Sequence, residues 1–221
     1  MSENRKFSVL MSVYIKENPV FLEEAVESIL NQTLKPSEVV LVEDGSLTPE
    51  LYQVLEKLTA QSTIPIKRCP LEQNRGLGLA LQYGVLQCQY DVIARMDTDD
   101  IAVEDRFEKQ FNLMETENLD LLGGHIAEFI DQPDEIVSYR RVPTKHEDII
   151  AYQRMRSAFN HMTVMFKKEM VLKAGNYEDG LYMEDDLLWL NMISAGARTG
   201  NVDQILCKVR VGAGMFERRG G

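Results

Sequence analysis

Ile93-Ala94-Arg95-Met96-Asp97-Thr98-Asp99-Asp100 decides how this chain is read. A short, mostly apolar run ends in three carboxylates within four residues. Taken as a buried strand, the run delivers Asp97, Asp99 and Asp100 to the strand's carboxyl end, where open α/β sheets bind their ligands. Alternating acids at such an edge can hold a divalent cation, and that cation can hold a diphosphate. The stretch points to an enzyme handling an activated phosphate ester.

Upstream, strand and helix signals alternate. Phe7 to Val13 is rich in β-favouring apolar residues and reads as a strand. Asn18-Pro19 supplies a cap and a first-turn proline, and Leu22, Ala25, Val26, Ile29 and Leu30 follow at helical spacing. Glu38 to Val42 is the next strand. Thr48-Pro49 repeats the cap-and-proline start ahead of Leu51, Val54, Leu55 and Leu58. A short strand is expected over Ile64 to Arg68, a helix over Leu77 to Leu86 and a fourth strand over Val92 to Met96. This alternation implies a parallel sheet with right-handed crossovers.

Downstream, a helix is expected over Arg106–Met114. Extended segments at Leu119 to Ile130 and Ile136 to Val142 flank the turn residues Asp131-Gln132-Pro133-Asp134. Thr163 to Phe166 reads as a strand and Glu184 to Ala195 as a helix, with Gly196 and Gly200 bracketing the exit from it. No repeat or low-complexity linker interrupts the sequence. One domain over residues 1–221 follows, with a nucleotide-binding half (1–100) and an acceptor-facing half (101–221).

The chain has 221 residues, 44% of them hydrophobic, enough for a sizeable core. Its net charge of −11 argues against a general nucleic-acid binder. Cys69, Cys88 and Cys207 form no CxxC pair, and their odd number speaks against a disulfide framework. No signal peptide is evident, and no apolar run approaches the roughly 18–20 residues that span a bilayer. A soluble cytoplasmic protein is expected, at most peripherally attached to a membrane.

Chemistry concentrates at six places. The turn after the first strand, Ser12-Val13-Tyr14, lacks the GxGxxG of a dinucleotide site. Glu43-Asp44-Gly45-Ser46 is either an Asp-Gly turn or a carboxylate offered to a base or ribose. Arg75, in Asn74-Arg75-Gly76, is either a phosphate partner or a surface cation. Asp97-Thr98-Asp99-Asp100 favours metal or phosphate chemistry, because three acids on one tip repel unless a cation compensates. In Glu184-Asp185-Asp186 the acids either complement a helix start or provide a general base. His161, in Asn160-His161-Met162-Thr163, is a structural ring, a donor or a metal ligand.

Taken in order, SVLMSVY, EVVLVEDGS, NRGLGLALQYG, ARMDTDD and MEDDLLW resemble family-two glycosyltransferases of the bacterial surface-polysaccharide type. The likeness runs from about Phe7 to about Gly200, and the acidic triplet and the Glu-Asp before Leu188-Trp189 are its most specific parts. The resemblance implies a GT-A fold: a Rossmann-like, mostly parallel central sheet flanked by helices, with a small antiparallel extension. It implies inverting transfer of a sugar from a nucleoside-diphosphate donor, with uridine favoured, to an acceptor hydroxyl on a glycan or lipid-linked carrier. Ser12, Val13, Tyr14, Asp44, Arg75 and Asp97 would then bind the nucleotide. Asp99, with His161, would hold Mn²⁺ or Mg²⁺, and Asp185 would be the catalytic base.

Ser12, Ile15, Asp186 and Leu187 depart from the usual pattern, which bears on the acceptor. The ending Arg218-Arg219-Gly220-Gly221 suggests a chain shortened before a further, sometimes membrane-contacting, segment. Its arginines are either diphosphate contacts on a closing loop or a solvated end.

Two rivals fit less well. A DxD phosphohydrolase places its motif after the first strand, not the fourth. A calcium loop needs an oxygen ligand and a glycine where Ile101 and Ala102 stand. An inactive sugar-nucleotide or divalent-cation binder of the same fold is the remaining alternative.

Overall fold

The structure, a computed structural model, describes residues 5–179 and 183–212. Its first half follows the sequence pattern. Strand β1 (Ser8–Val13) leads to helix α1 (Pro19–Leu30), β2 (Glu38–Glu43), α2 (Pro49–Gln61), β3 (Ile66–Pro70), α3 (Leu77–Gln87) and β4 (Val92–Arg95). The helix starts have the anticipated cause. The Asn18 side chain accepts the Val20 N–H at 2.9 Å, and Thr48 Oγ1 accepts the Leu51 N–H at 3.3 Å. A proline follows each cap, at a first-turn position that has no intrahelical partner to lose.

The second half adds β5 (Ile101–Ala102), α4 (Arg106–Glu117), β6 (Leu121–Phe129), β7 (Ile136–Arg140), α5 (His146–Gln153), β8 (Met165–Lys167), α6 (Lys168–Lys173), α7 (Glu184–Ser194) and β9 (Thr199–Arg210). The sheet runs β3-β2-β1-β4-β8-β6-β9-β5, with β7 also paired to β6. Strands β3, β2, β1 and β4 are parallel neighbours. Strand β8 enters antiparallel between β4 and β6 and so joins the two halves. The hairpin of β6 and β7 is the antiparallel extension.

Both faces of the parallel region are covered. Val9, Met11, Val39 and Leu41 point to one core with the apolar stripes of α1, α2 and α4. Leu10, Val40, Val42 and Ile93 point to the other, with α3, α5, α6 and α7. Burial on both sides explains why β1 and β2 read as continuous apolar runs.

Several boundaries differ from the sequence reading. The third strand starts at Ile66, two residues later than expected, because Ser62 closes a local turn with Ile64. Thr163 is not in a strand. It ends a 3₁₀ turn, His161–Thr163, in which its hydroxyl and N–H both return to the Asn160 carbonyl. Gly200 lies inside β9 rather than at a helix exit. That twelve-residue strand escaped notice because its buried face carries Asn201, whose amide accepts from Gly123 and donates to Pro143 and Ala158. Arg218 and Arg219 lie outside the described residues.

Helix α3 packs tightly on the sheet because Gly84 has no side chain. A Cβ there would sit 2.4 Å from Leu10 Cδ1 and 2.9 Å from Val42 Cγ2. Gly84→Leu should therefore cost about 2 kcal/mol through overpacking. Urea unfolding measures this, and an unchanged midpoint would deny the close approach.

Candidate active site

The carboxyl ends of β1, β2 and β4 open into a cleft of about 690 Å³, closed on its far side by α7 and the 3₁₀ turn. This is where a parallel sheet offers room for a ligand. Ser12, Tyr14, Asp44, Asp97, Asp99, His161 and Asp185 all line it, so acids far apart in the chain share one space.

Asp97, Asp99 and Asp100 each place a carboxylate oxygen within 4.8 Å of the others. Such an oxygen set suits a hard divalent cation. Asp100 is buried and accepts the Arg210 N–H at 2.9 Å. Burial, then Asp99 and Asp97, hold its carboxyl well above the ordinary range. The crowding is relieved from below by Arg95, whose buried guanidinium meets Asp97 Oδ1 at 2.5 Å. Burial opposes that charge, but the Asp97 carboxylate outweighs it and holds Arg95 above its ordinary pKa. Two of its nitrogens, Nε and Nη1, are buried and find no hydrogen-bond partner among the described residues.

The strand end is braced by a second buried guanidinium. Arg106 donates to the Arg95 carbonyl at 2.7 Å and to Gln110 at 2.9 Å, and Gln110 donates to the Thr163 carbonyl at 2.7 Å. One network therefore ties β4, α4 and the 3₁₀ turn together. Arg210 at the end of β9 lies over the ring of Phe21, 3.7 Å from its centroid, and donates to Glu24 at 2.7 Å.

In the same cleft, Asp185 is the second residue of α7. Burial, with Asp186 alongside, pushes its carboxyl up to about 6. His161 Nδ1 lies 3.9 Å from Asp185 Oδ2, and its Nε2 is 3.0 Å from the buried Tyr177 hydroxyl. The structure thus brings His161 to Asp185; among the described residues, the group of mutually close possible metal ligands is Asp97, Asp99 and Asp100.

Asp44 is buried and already engaged. Its two oxygens accept the N–H groups of Arg75 at 2.7 Å and Gly76 at 3.0 Å. Gly45, at φ +83°, permits this, since a Cβ would lie 2.6 Å from the Asn74 nitrogen. The Arg75 side chain is exposed and does not line the cleft. The Val13 side chain is buried in the core beneath the cleft. Sequence reading missed Arg95 as a countercharge, although it stands in the deciding stretch. It also missed Arg210, because β9 was unread.

Replacing Arg95 by leucine should destabilise the fold by about 2 kcal/mol, less than a fully buried pair loses because Asp97 is 27% exposed. Adding Asp97→Asn should recover part of the loss. Chemical denaturation of the single and double variants tests this, and strict additivity would deny the pairing.

The sequence model described as "Glycosyl transferase family 2" matches residues 8–176. An uncharacterized glycosyltransferase of Haemophilus influenzae is 48% identical over 217 residues, covering 98% of this chain and 80% of the relative. The amylovoran biosynthesis glycosyltransferase AmsE of Erwinia amylovora is 43% identical, covering 97% of this chain and 80% of AmsE. An Escherichia coli enzyme named UDP-Gal:alpha-D-GlcNAc-diphosphoundecaprenol beta-1,3-galactosyltransferase is 39% identical, covering 98% and 78%. Among solved structures, S. aureus TarS 1-349 with UDP-GlcNAc matches at a TM-score of 0.71 and 19% identity, covering 95% of this chain. The Pyrobaculum calidifontis mannosyltransferase PcManGT with GDP-Man and Mn²⁺ matches at 0.72 and 15%, covering 96%. This chain spans 59% of each of those two structures.

Proposed function

Since the chain belongs to glycosyl transferase family 2 and has the GT-A fold, we propose that it moves a sugar, with inversion, from a UDP-sugar to a hydroxyl of a lipid-linked glycan in surface-polysaccharide synthesis. Residues 1–100 hold the donor and residues 101–221 present the acceptor. The observation that carries the reading is the shared cleft: an acid triad at the tip of β4 lines the same space as a second, pKa-raised carboxylate on α7.

Asp44 fixes the loop at Arg75 and Gly76, and with Ser12 and Tyr14 it lines the pocket for base and ribose. The three acids would hold Mn²⁺ or Mg²⁺, with Asp97 clamped by Arg95 and Asp99 a direct ligand. A bound cation there would neutralise the charge that develops on the diphosphate. The acceptor oxygen attacks the anomeric carbon from the Asp185 side. As that bond forms, the bond to the phosphate oxygen breaks and its electron pair leaves with the nucleotide. Asp185 takes the acceptor's proton, and no covalent intermediate is needed. His161 and Tyr177 hold that carboxylate's wall in place.

Asp185→Asn should lower transfer by at least about 100-fold, the usual weight of a general base. It should leave UDP affinity unchanged, as measured by calorimetry alongside a radiolabelled transfer assay. Transfer at wild-type rate would remove Asp185 from the role, and the chain would then be better described as a sugar-nucleotide binder. Asp185 must be ionised to accept a proton, and its carboxyl titrates at about 6. Activity therefore falls as pH drops through about 6 and holds above it. A kcat/KM profile flat from pH 5 to pH 8, limits chosen to lie about one unit or more on either side of that pKa, would contradict the assignment.

A further inference from the structure

The rim of the cleft carries a feature that donor chemistry does not use. Arg154, Met155 and Arg156 follow α5 as an exposed turn, with Met155 88% exposed. Behind them Arg140, at the end of β7, donates to the Ser157 carbonyl at 3.2 Å, and both Arg140 and Ser157 line the cleft. Between positions 137 and 157 the sequence holds five cationic side chains, Arg140, Arg141, Lys145, Arg154 and Arg156, against two carboxylates, Glu147 and Asp148. The whole chain carries a net charge of −11. Among the described residues, no ion pair or side-chain hydrogen bond engages Arg154 or Arg156.

We propose that the Arg154-Met155-Arg156 tip, backed by Arg140, docks on an anionic lipid surface and turns the mouth of the cleft toward it. An apolar side chain between two cations suits the headgroup boundary, where the charges meet lipid phosphates and the methionine enters the acyl edge. A free phosphate would gain nothing from a methionine held out in water. Because the rest of the chain is strongly acidic, an anionic membrane repels most of its surface, so the local basic patch also sets the orientation. The purpose of the contact, access to a lipid-linked acceptor, rests on the function proposed above. The contact itself does not, so vesicle binding and sugar transfer can fail independently.

Co-sedimentation with phosphatidylcholine vesicles, with and without phosphatidylglycerol, tests this. The purified chain should bind only the anionic vesicles and should release as salt rises. Each arginine at an anionic surface contributes about five-fold in partitioning, so Arg154→Glu with Arg156→Glu should lower binding by at least about 25-fold. Met155→Asp should weaken it independently. Both variants should keep the parent's circular dichroism spectrum and melting temperature, which shows that they are folded. Three results would overturn the proposal: no binding to anionic vesicles, equal binding by parent and variants, or inorganic pyrophosphate displacing the chain at concentrations that leave ionic strength unchanged. A concentration-dependent dimer abolished by the same substitutions would also overturn it, by giving the surface to a second copy.

Discussion

Three carboxylates at the tip of one strand are the constraint around which the molecule is arranged. Asp97, Asp99 and Asp100 lie within 4.8 Å of one another, and such a cluster repels itself unless positive charge compensates. The fold supplies part of that charge from inside. Arg95 pairs with Asp97 from below the cleft, and the backbone of Arg210 donates to Asp100. Arg106 then ties the Arg95 carbonyl to α4 and, through Gln110, to the 3₁₀ turn that bears His161. Arg95 offsets Asp97 directly, and the clustered carboxylate oxygens at the tip suit a divalent cation.

The same network explains how distant parts of the chain meet. Strand β8 inserts antiparallel beside β4, so the segment before it is held at the cleft wall. Tyr177 and Trp189 pack with His161 under the start of α7 and bring Asp185 to that wall. Burial there raises the Asp185 carboxyl toward neutrality, where a carboxylate is a stronger base and still ionised at physiological pH. The acid tip gathers three carboxylates around one point, whereas Asp185 stands beside His161 on α7, and this difference in company supports proposing different tasks for them.

Much of the first half was legible because local and tertiary signals agree there. Asn18-Pro19 and Thr48-Pro49 mark helix starts in their own right, and β1 and β2 are buried on both faces, so Val9 to Met11 and Val39 to Val42 are apolar at consecutive rather than alternate positions. The acid triad and the Glu184-Asp185 pair were readable as residue types at strand and helix ends. What escaped notice depends on partners distant in sequence. Asn201 and Arg106 are polar residues that read as surface, yet each is buried by bonds to segments far along the chain. Strand β9 was hidden for that reason, and Arg210 with it. His161, placed with the metal by resemblance, lies beside Tyr177 and Asp185 in the same cleft.

The proposed transfer requires that oxygens at the β4 tip hold a cation that in turn holds the nucleotide. Calorimetric titration of UDP with and without Mn²⁺, on the parent chain and on Asp99→Ala, tests it most directly. UDP should bind the parent chain only with the metal present and should fail to bind Asp99→Ala even when Mn²⁺ is added. UDP binding of equal strength with and without the metal would contradict it.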